Sequence, residues 1–330
     1  MKIAILSFAH MHAAGYANCL REIPGVELAA VWDDDPARGQ AMAARFQAPF
    51  VADLDRILKD SEIVGVIVTA ANADHRPLVL AAAQAGKHIL CEKPIATRLD
   101  DARAMIDAAA SAGVKLMTAF PVRYSPPVQR AYERVRAGEI GAIYGANCTN
   151  RGQMPGGWFV EKGRAGGGAV IDHTVHVVDL LRWMLQDEVV EVYAEIDNLL
   201  YPDLHIDDCG ILSMRFASGV FATLDTSWSR PRVFPTWGDV TMEIVGHDGV
   251  LHVDAFRQVV EVASQTQGRY YWSGWGSDMD LGLIADFVRI IREDAPPPIT
   301  GYDGLKAMEV ALAAYRSAEE GRPVTLPLAG

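Results

Sequence analysis

The chain has no Cys-x-x-Cys pair, no long basic run and no apolar stretch of the roughly 18 residues that a bilayer crossing requires. Its four cysteines, Cys19, Cys91, Cys148 and Cys209, are scattered along 330 residues. That distribution fits reduced thiols in a cytoplasm better than a disulfide scaffold or a zinc site. A formal net charge of −12 argues against a nucleic-acid partner, since polyphosphate binding needs concentrated Lys and Arg. The first residues, Met1 to Leu6, are apolar, but no cleavage-type small-residue site follows and His10 and His12 interrupt the run. They read as a first buried strand, not a signal peptide.

The chain has enough apolar residues, 50%, and enough length for two cores. Over the first 120 residues short apolar runs alternate with helical segments. Strands are expected at Ile3 to Leu6, Val26 to Trp32, Val64 to Thr69, His88 to Cys91 and Lys115 to Ala119. Helices are expected at His12 to Glu22, Asp35 to Phe46, Pro77 to Ala85 and Leu99 to Ala112. Continuous apolar strands separated by amphipathic helices indicate a doubly wound parallel sheet covered on both faces. After one further helix, Val128 to Ala137, strands follow one another: Ala142 to Thr149, Val189 to Ile196, Asp208 to Phe216, Val220 to Ser229, Thr241 to Val245, Val250 to Asp254 and Gln258 to Val262. Phe216 to Val220 and Gly246 to Gly249 read as hairpin turns. The expectation is an α/β protein: residues 1–122 a dinucleotide-binding unit, and residues 123–330 an α+β unit with a large, mostly antiparallel open sheet. Pro296-Pro297-Pro298 reads as a stiff turn before a last helix that can pack back on the first unit.

At the first strand-to-helix turn, the G-x-G-x-x-G cradle of a dinucleotide pyrophosphate is missing. Ser7-Phe8-Ala9-His10-Met11-His12 stands there instead, compatible with a cofactor turn or with a plain strand–turn–helix. Asp33 ends the second strand, where a carboxylate can accept both ribose hydroxyls and repel a 2′-phosphate, favouring NAD over NADP. It can equally open the Asp33-Asp34-Asp35-Pro36 turn and cap the next helix.

Lys93, in Cys91-Glu92-Lys93-Pro94, follows a buried strand on the edge where such sheets bind ligands. An ammonium there can polarise a substrate oxygen, although most lysines are only solvated charges. Gly166-Gly167-Gly168 precede a helical stretch, Ala169 to Leu185, that carries Asp172 and His176 four residues apart on one face. A carboxylate beside an imidazole can fix its tautomer for proton transfer; a satisfied core pair is the alternative. Asp172, His173 and His176 are also metal-ligand types, but one helix face presents at most two of them and no further ligand follows at a characteristic spacing, so no metal is expected. His205-Ile206-Asp207-Asp208 reads as a strand entry.

Taken together, Ala85 to Pro94, the glycine-rich Asp172/His176 segment, Gly246-His247-Asp248-Gly249, Gly301-Tyr302-Asp303-Gly304 and the Ala313 to Pro327 tail resemble the Gfo/Idh/MocA family over nearly the whole chain. The resemblance implies a Rossmann domain, a sheet domain used for oligomerisation as a homodimer or homotetramer, and a hydride exchanged between NAD and a secondary alcohol of a sugar or polyol. It implies that Lys93 positions the reacting oxygen, Asp172 helps orient it and His176 is the general base or acid. Glu92 is placed near the nicotinamide ribose, and Thr69, Asn72 and His75 beside the cofactor, together with Ser7, Phe8, Ala9, His10, Met11, His12 and Asp33. Arg123, Tyr124, Trp158, Arg164 and His173 are expected as substrate walls. Two other functions use the same features: a redox-neutral NAD-dependent glycosidase or lyase, and a non-enzymatic dinucleotide-sensing protein.

Overall fold

The structure, a computed structural model, describes residues 1–274 and 276–328. The N-terminal half runs β1 (Lys2–Leu6), α1 (His12–Glu22), β2 (Glu27–Trp32), α2 (Pro36–Phe46), α3 (Leu54–Lys59), β3 (Ile63–Val68), α4 (His75–Gln84), β4 (His88–Cys91), α5 (Leu99–Ala112) and β5 (Leu116–Thr118). All five strands pair in parallel, in the order β2-β1-β3-β4-β5. Their runs of buried Ile, Val and Leu are what a sheet covered on both faces requires. Beyond β2 a single parallel bridge, Val31 to Phe50, stands where a sixth strand would lie. The sheet therefore has the Rossmann order with one outer strand reduced to a bridge, and its winding reverses between β1 and β3.

The second half runs α6 (Pro126–Arg136), β6 (Ile143–Arg151), α7 (Lys162–Ala165), α8 (Ala169–Leu185), β7 (Val189–Asp197), β8 (Cys209–Phe216), β9 (Phe221–Ser227), β10 (Thr241–Gly246), β11 (Val250–Asp254), β12 (Val259–Ser264), β13 (Arg269–Gly274), α9 (Met279–Arg292), α10 (Gly301–Glu320) and β14 (Val324–Thr325). Seven strands form one sheet, β11-β10-β6-β9-β8-β7-β14, antiparallel except for the β6–β9 pair. Both expected hairpins form, β8 to β9 and β10 to β11. The expected strand at Gln258 to Val262 does not join this sheet; it pairs with β13 as a separate two-stranded hairpin.

α8 lies on the inner face of the large sheet, and α10 bridges α8 and β7 to α5 and β5 of the first half. α9, which has no counterpart in the sequence reading, packs on α1. Its start is fixed by Asp278, whose carboxylate accepts the amides of Asp280 and Leu281. These contacts bring the carboxyl ends of β1, β3 and β4 against the start of α8 and the end of β6. The cavity lies there.

Candidate active site

Ser7 carries the first turn in a left-handed backbone conformation, φ 75°, the conformation a glycine supplies at the first fingerprint position. Its hydroxyl donates to Asp34 (2.6 Å) and accepts from the Ala9 amide (3.1 Å). Thr69 fixes the other side: its hydroxyl donates to the Ser7 carbonyl (2.6 Å), and its own carbonyl accepts from the His10 amide (2.9 Å). The turn thus keeps the shape without the glycines. Phe8 points into the core and stacks on Phe46, while the Ala9 carbonyl accepts from the Trp158 indole (2.9 Å). His10, Met11, His12 and Gly15 face the cavity. Met11, at the capping position of α1, makes no side-chain cap and no acidic residue lies in the first turn, so its positive dipole end faces the cavity; the His12 amide rests on His10 Nδ1 (3.2 Å) and the Ala13 amide on the His10 carbonyl (3.2 Å).

Asp33 does not cap α2; Asp35 does, accepting from Ala37 and Arg38. The buried Asp33 carboxylate accepts the amides of Phe8 (2.8 Å) and Asp35 (2.9 Å) and is gripped by the Arg38 guanidinium (2.5 Å). Arg38 was not singled out in the sequence, although its place five residues after Asp33 is in the first turn of α2.

At the other end of the cavity the Lys93 ammonium, almost fully buried, donates to Asp172 Oδ1 (2.7 Å) and to the Asp172 carbonyl (3.3 Å). Asp172 Oδ2 faces His173 Nε2 (3.3 Å) and the Trp228 indole (3.4 Å). The expected pairing of Asp172 with His176 therefore gives way to a Lys93–Asp172–His173 chain, because Lys93 reaches the carboxylate first. Burial would raise the Asp172 carboxyl, but Lys93 and His173 outweigh it and hold it well below the usual range. His176 lines the same cavity edge-on to Phe120, with a buried Nδ1 that meets no protein partner. Burial, reinforced by the Lys93 charge, keeps its imidazole neutral by pushing its pKa well down.

Glu92 is fully buried between the two ends. It accepts from the Tyr16 hydroxyl (2.6 Å) and the Lys93 amide (2.9 Å) and faces His12 Nδ1 (3.0 Å). Burial would raise this carboxyl too; the neighbouring histidines and Lys93 prevail and keep it ionised. His10, His12 and Glu92 bring their ligand-type atoms within 4.8 Å of one another, a grouping that Asp172, His173 and His176 do not make among the described residues. His10 Nδ1 already accepts the His12 amide (3.2 Å), and Glu92 Oε1 is taken by Tyr16.

The cavity encloses about 390 Å³. Arg123, Tyr124, Asn72, His75, Arg164 and Trp158, all expected as contacts, do not line it. Arg123 forms a buried two-point pair with Asp179 (2.6 and 2.7 Å), and Tyr124 donates to Asp286 (2.7 Å). Asn72 donates to the Ala165 carbonyl (2.8 Å), tying the two halves together. His75 sits among the carbonyls of Ala70, Pro94 and Ile95, bracing the segment after Lys93. Arg164 lies 3.9 Å from Asp34 and 3.8 Å from Asp74, on the outer side of the nucleotide turn. Trp158 acts through its Ala9 bond and stacks on Phe159, and it is Phe159 that lines the cavity. Asn150 and Arg151, Trp237 and Asp239, and Asp280 complete the wall and were missed. Asn150 and Arg151 had a signal, since they end a strand as Glu92 and Lys93 follow one. Asp280 had none, because its helix was not read.

Comparison with known proteins gives the family. A family profile described as the oxidoreductase family, NAD-binding Rossmann fold, matches residues 2–120, and one described as the GFO/IDH/MocA C-terminal domain matches residues 128–252. A myo-inositol 2-dehydrogenase of Thermotoga maritima is 30% identical over 285 residues, 83% of each chain. The 1,5-anhydro-D-fructose reductase of Ensifer adhaerens is 29% identical over 90% of each chain. Among solved structures, GenD2 from gentamicin A biosynthesis, in complex with NAD, superposes with a TM-score of 0.91 at 28% identity, over 99% of this chain and 97% of its own.

Proposed function

The chain belongs to the Gfo/Idh/MocA family of NAD-binding oxidoreductases, and on that premise we propose that it oxidises a secondary alcohol of a sugar, cyclic polyol or sugar derivative. The observation that carries this reading is the Lys93–Asp172 pair beside a neutral His176, in one cavity with the positive end of α1. Relatives that act on inositol and on anhydrofructose support the substrate class.

The residues present fit the dinucleotide. The amides at the start of α1 suit a pyrophosphate, Asp33 ends β2 where a ribose is read, and Glu92 offers an ionised acceptor between them. When bound, NAD supplies the hydride acceptor. The chain does the rest: Lys93 holds the reacting oxygen by donating to it, and Asp172 fixes the ammonium by accepting from it. His176 takes the hydroxyl proton on a ring nitrogen, which its neutrality leaves free. His10, His12 and Glu92 are read as a wall of this site, not a metal centre, because His10 Nδ1 accepts the His12 amide and Glu92 Oε1 serves Tyr16 and His12.

In this reading residues 1–122 bind the cofactor, and residues 123–330 bind the substrate and form the subunit contact of a homodimer or homotetramer. The free thiols of Cys19, Cys91, Cys148 and Cys209 support a cytoplasmic setting. The test is purified protein with NAD and a panel of polyols and sugars, followed by NADH absorbance. Lys93→Met and His176→Ala are each expected to lower turnover by at least about 10²-fold. Sustained turnover in either variant would remove the assignment, and product without net NADH would indicate the redox-neutral reaction instead.

A further inference from the structure

The start of α8 is capped by residues from outside the helix. Gly168, at its capping position, has no side chain to offer, and a helix begins with amides that lack partners. Here four consecutive amides are taken by two distant residues. Gly168 donates to Asp207 Oδ1 (2.8 Å), Val170 to Asp207 Oδ2 (2.9 Å) and Ala169 to the Asp207 carbonyl (3.0 Å). Ile171 donates to the Tyr315 hydroxyl (3.2 Å), which itself donates to Asp207 Oδ1 (3.0 Å).

The glycines make this approach possible. A Cβ on Gly168 would lie 1.8 Å from the Asp207 carbonyl oxygen, and one on Gly167 would lie 2.2 Å from the Tyr315 hydroxyl. The close approach that these two glycines permit is thus made by the chain's own residues, Asp207 from the segment before β8 and Tyr315 from α10. Asp172 follows directly in the same first turn, with its amide on the Gly168 carbonyl (3.2 Å). Its carboxylate can meet Lys93 at 2.7 Å only if α8 begins where this clamp sets it. A carboxylate at a helix N-terminus also complements the dipole there.

We propose that Asp207 and Tyr315 are positioning residues for the reaction, holding the first turn of α8 so that the Asp172 carboxylate meets both Lys93 and His173; this rests on the role assigned to Lys93 and His176 above. Tyr315→Phe removes only the hydroxyl, and Asp207→Asn turns one acceptor into an amide that opposes a backbone N–H. In the NAD-loaded enzyme both are expected to lower kcat by about ten- to a hundredfold, as a small misplacement of reacting groups does. NAD affinity should be unchanged, the pH profile of kcat should move, and hydrogen exchange should accelerate at residues 168–171 but not in β1–β5. A lower melting temperature with unchanged kcat and pH profile would overturn the proposal. Should Asp207→Asn not fold, Tyr315→Phe decides alone. Should the wild-type protein oxidise no alcohol, the functional reading falls, and the NMR spectrum of ligand-free protein decides the clamp. Displaced His173 ring resonances in Tyr315→Phe, marking loss of the His173–Asp172 contact (3.3 Å), support it, and unmoved ones overturn it.

Discussion

Ser7 holds a conformation that crowds its own Cβ, at a cost of about 1–2 kcal/mol for a residue with a side chain, and recovers part of it through its hydroxyl bonds to Asp34 and Ala9. Ser7→Gly and Ser7→Ala both lose those bonds, but only the alanine keeps the strain. Glycine also widens the unfolded ensemble, so the glycine variant is expected to be the more stable by about 0.5–1 kcal/mol in urea unfolding. An alanine variant as stable as the glycine one would show that φ is not the constraint. Asp280 offers a second single-residue test. Burial pushes its carboxyl up to about 6, with Asp278 and Glu92 adding to the rise and His12 opposing it. The native state therefore keeps a proton that the unfolded chain has released between about pH 4 and pH 6, and stability from this group falls as pH rises through that window. Asp280→Asn removes the penalty. It is expected to raise stability by about 1–3 kcal/mol at pH 7.5 and to change little at pH 4, as measured by denaturant melts at the two pH values.

At the scale of elements, most strands and helices of the first half were legible because a buried parallel strand must be continuously apolar and a covering helix must be amphipathic. α1, β4 and α5 fall on the expected residues. What was not legible is what side chains do once distant elements meet. The spacing of Asp172 and His176 was right as a shared face, yet sequence could not show that Lys93, 79 residues earlier, would claim the carboxylate. Arg123 looked like a pocket wall, but Asp179 lies within its reach on α8 and neutralises it in the core. The β2–α2 junction shows the same limit with a testable consequence. Asp33 carries Arg38 on it, and with the cofactor placed as proposed above this pair both repels a 2′-phosphate and keeps the guanidinium from one. Asp33→Asn leaves an amide oxygen for the Phe8 amide and frees Arg38. The preference for NAD over NADP, read as the ratio of Kd values, is expected to drop by about tenfold or more, the worth of one charge-assisted hydrogen bond. An unchanged ratio would mean that cofactor choice is set elsewhere.

At the scale of the whole molecule, the seven-stranded sheet has one covered face and one outer face. α8 and α10 cover the inner face, and alternate residues of the strands point the other way. Tyr144 on β6, Tyr193 on β7, Ile211 on β8, Phe221 on β9 and Val250 on β11 all stand exposed in the single chain. Phe221 is 59% exposed and Ile211 54%, on neighbouring antiparallel strands. Single exposed apolar residues are ordinary, but a set spread across one sheet face marks a surface that another face covers. In the homodimer proposed above this face is the subunit contact, and a second contact makes the homotetramer. Hydrophobic burial is lost when a charge must enter it unpaired, so Ile211→Lys with Phe221→Lys is expected to yield monomers in light scattering at concentrations where the wild-type chain is an oligomer. The cavity is built within one chain, from β1, β4, β6, α8 and α9, so the monomer should keep its NAD affinity. A wild-type chain that is itself monomeric would remove the proposed subunit contact, and a double variant that stays assembled would place it on another surface; loss of NAD binding in a folded monomer would show that the partner helps to shape the site.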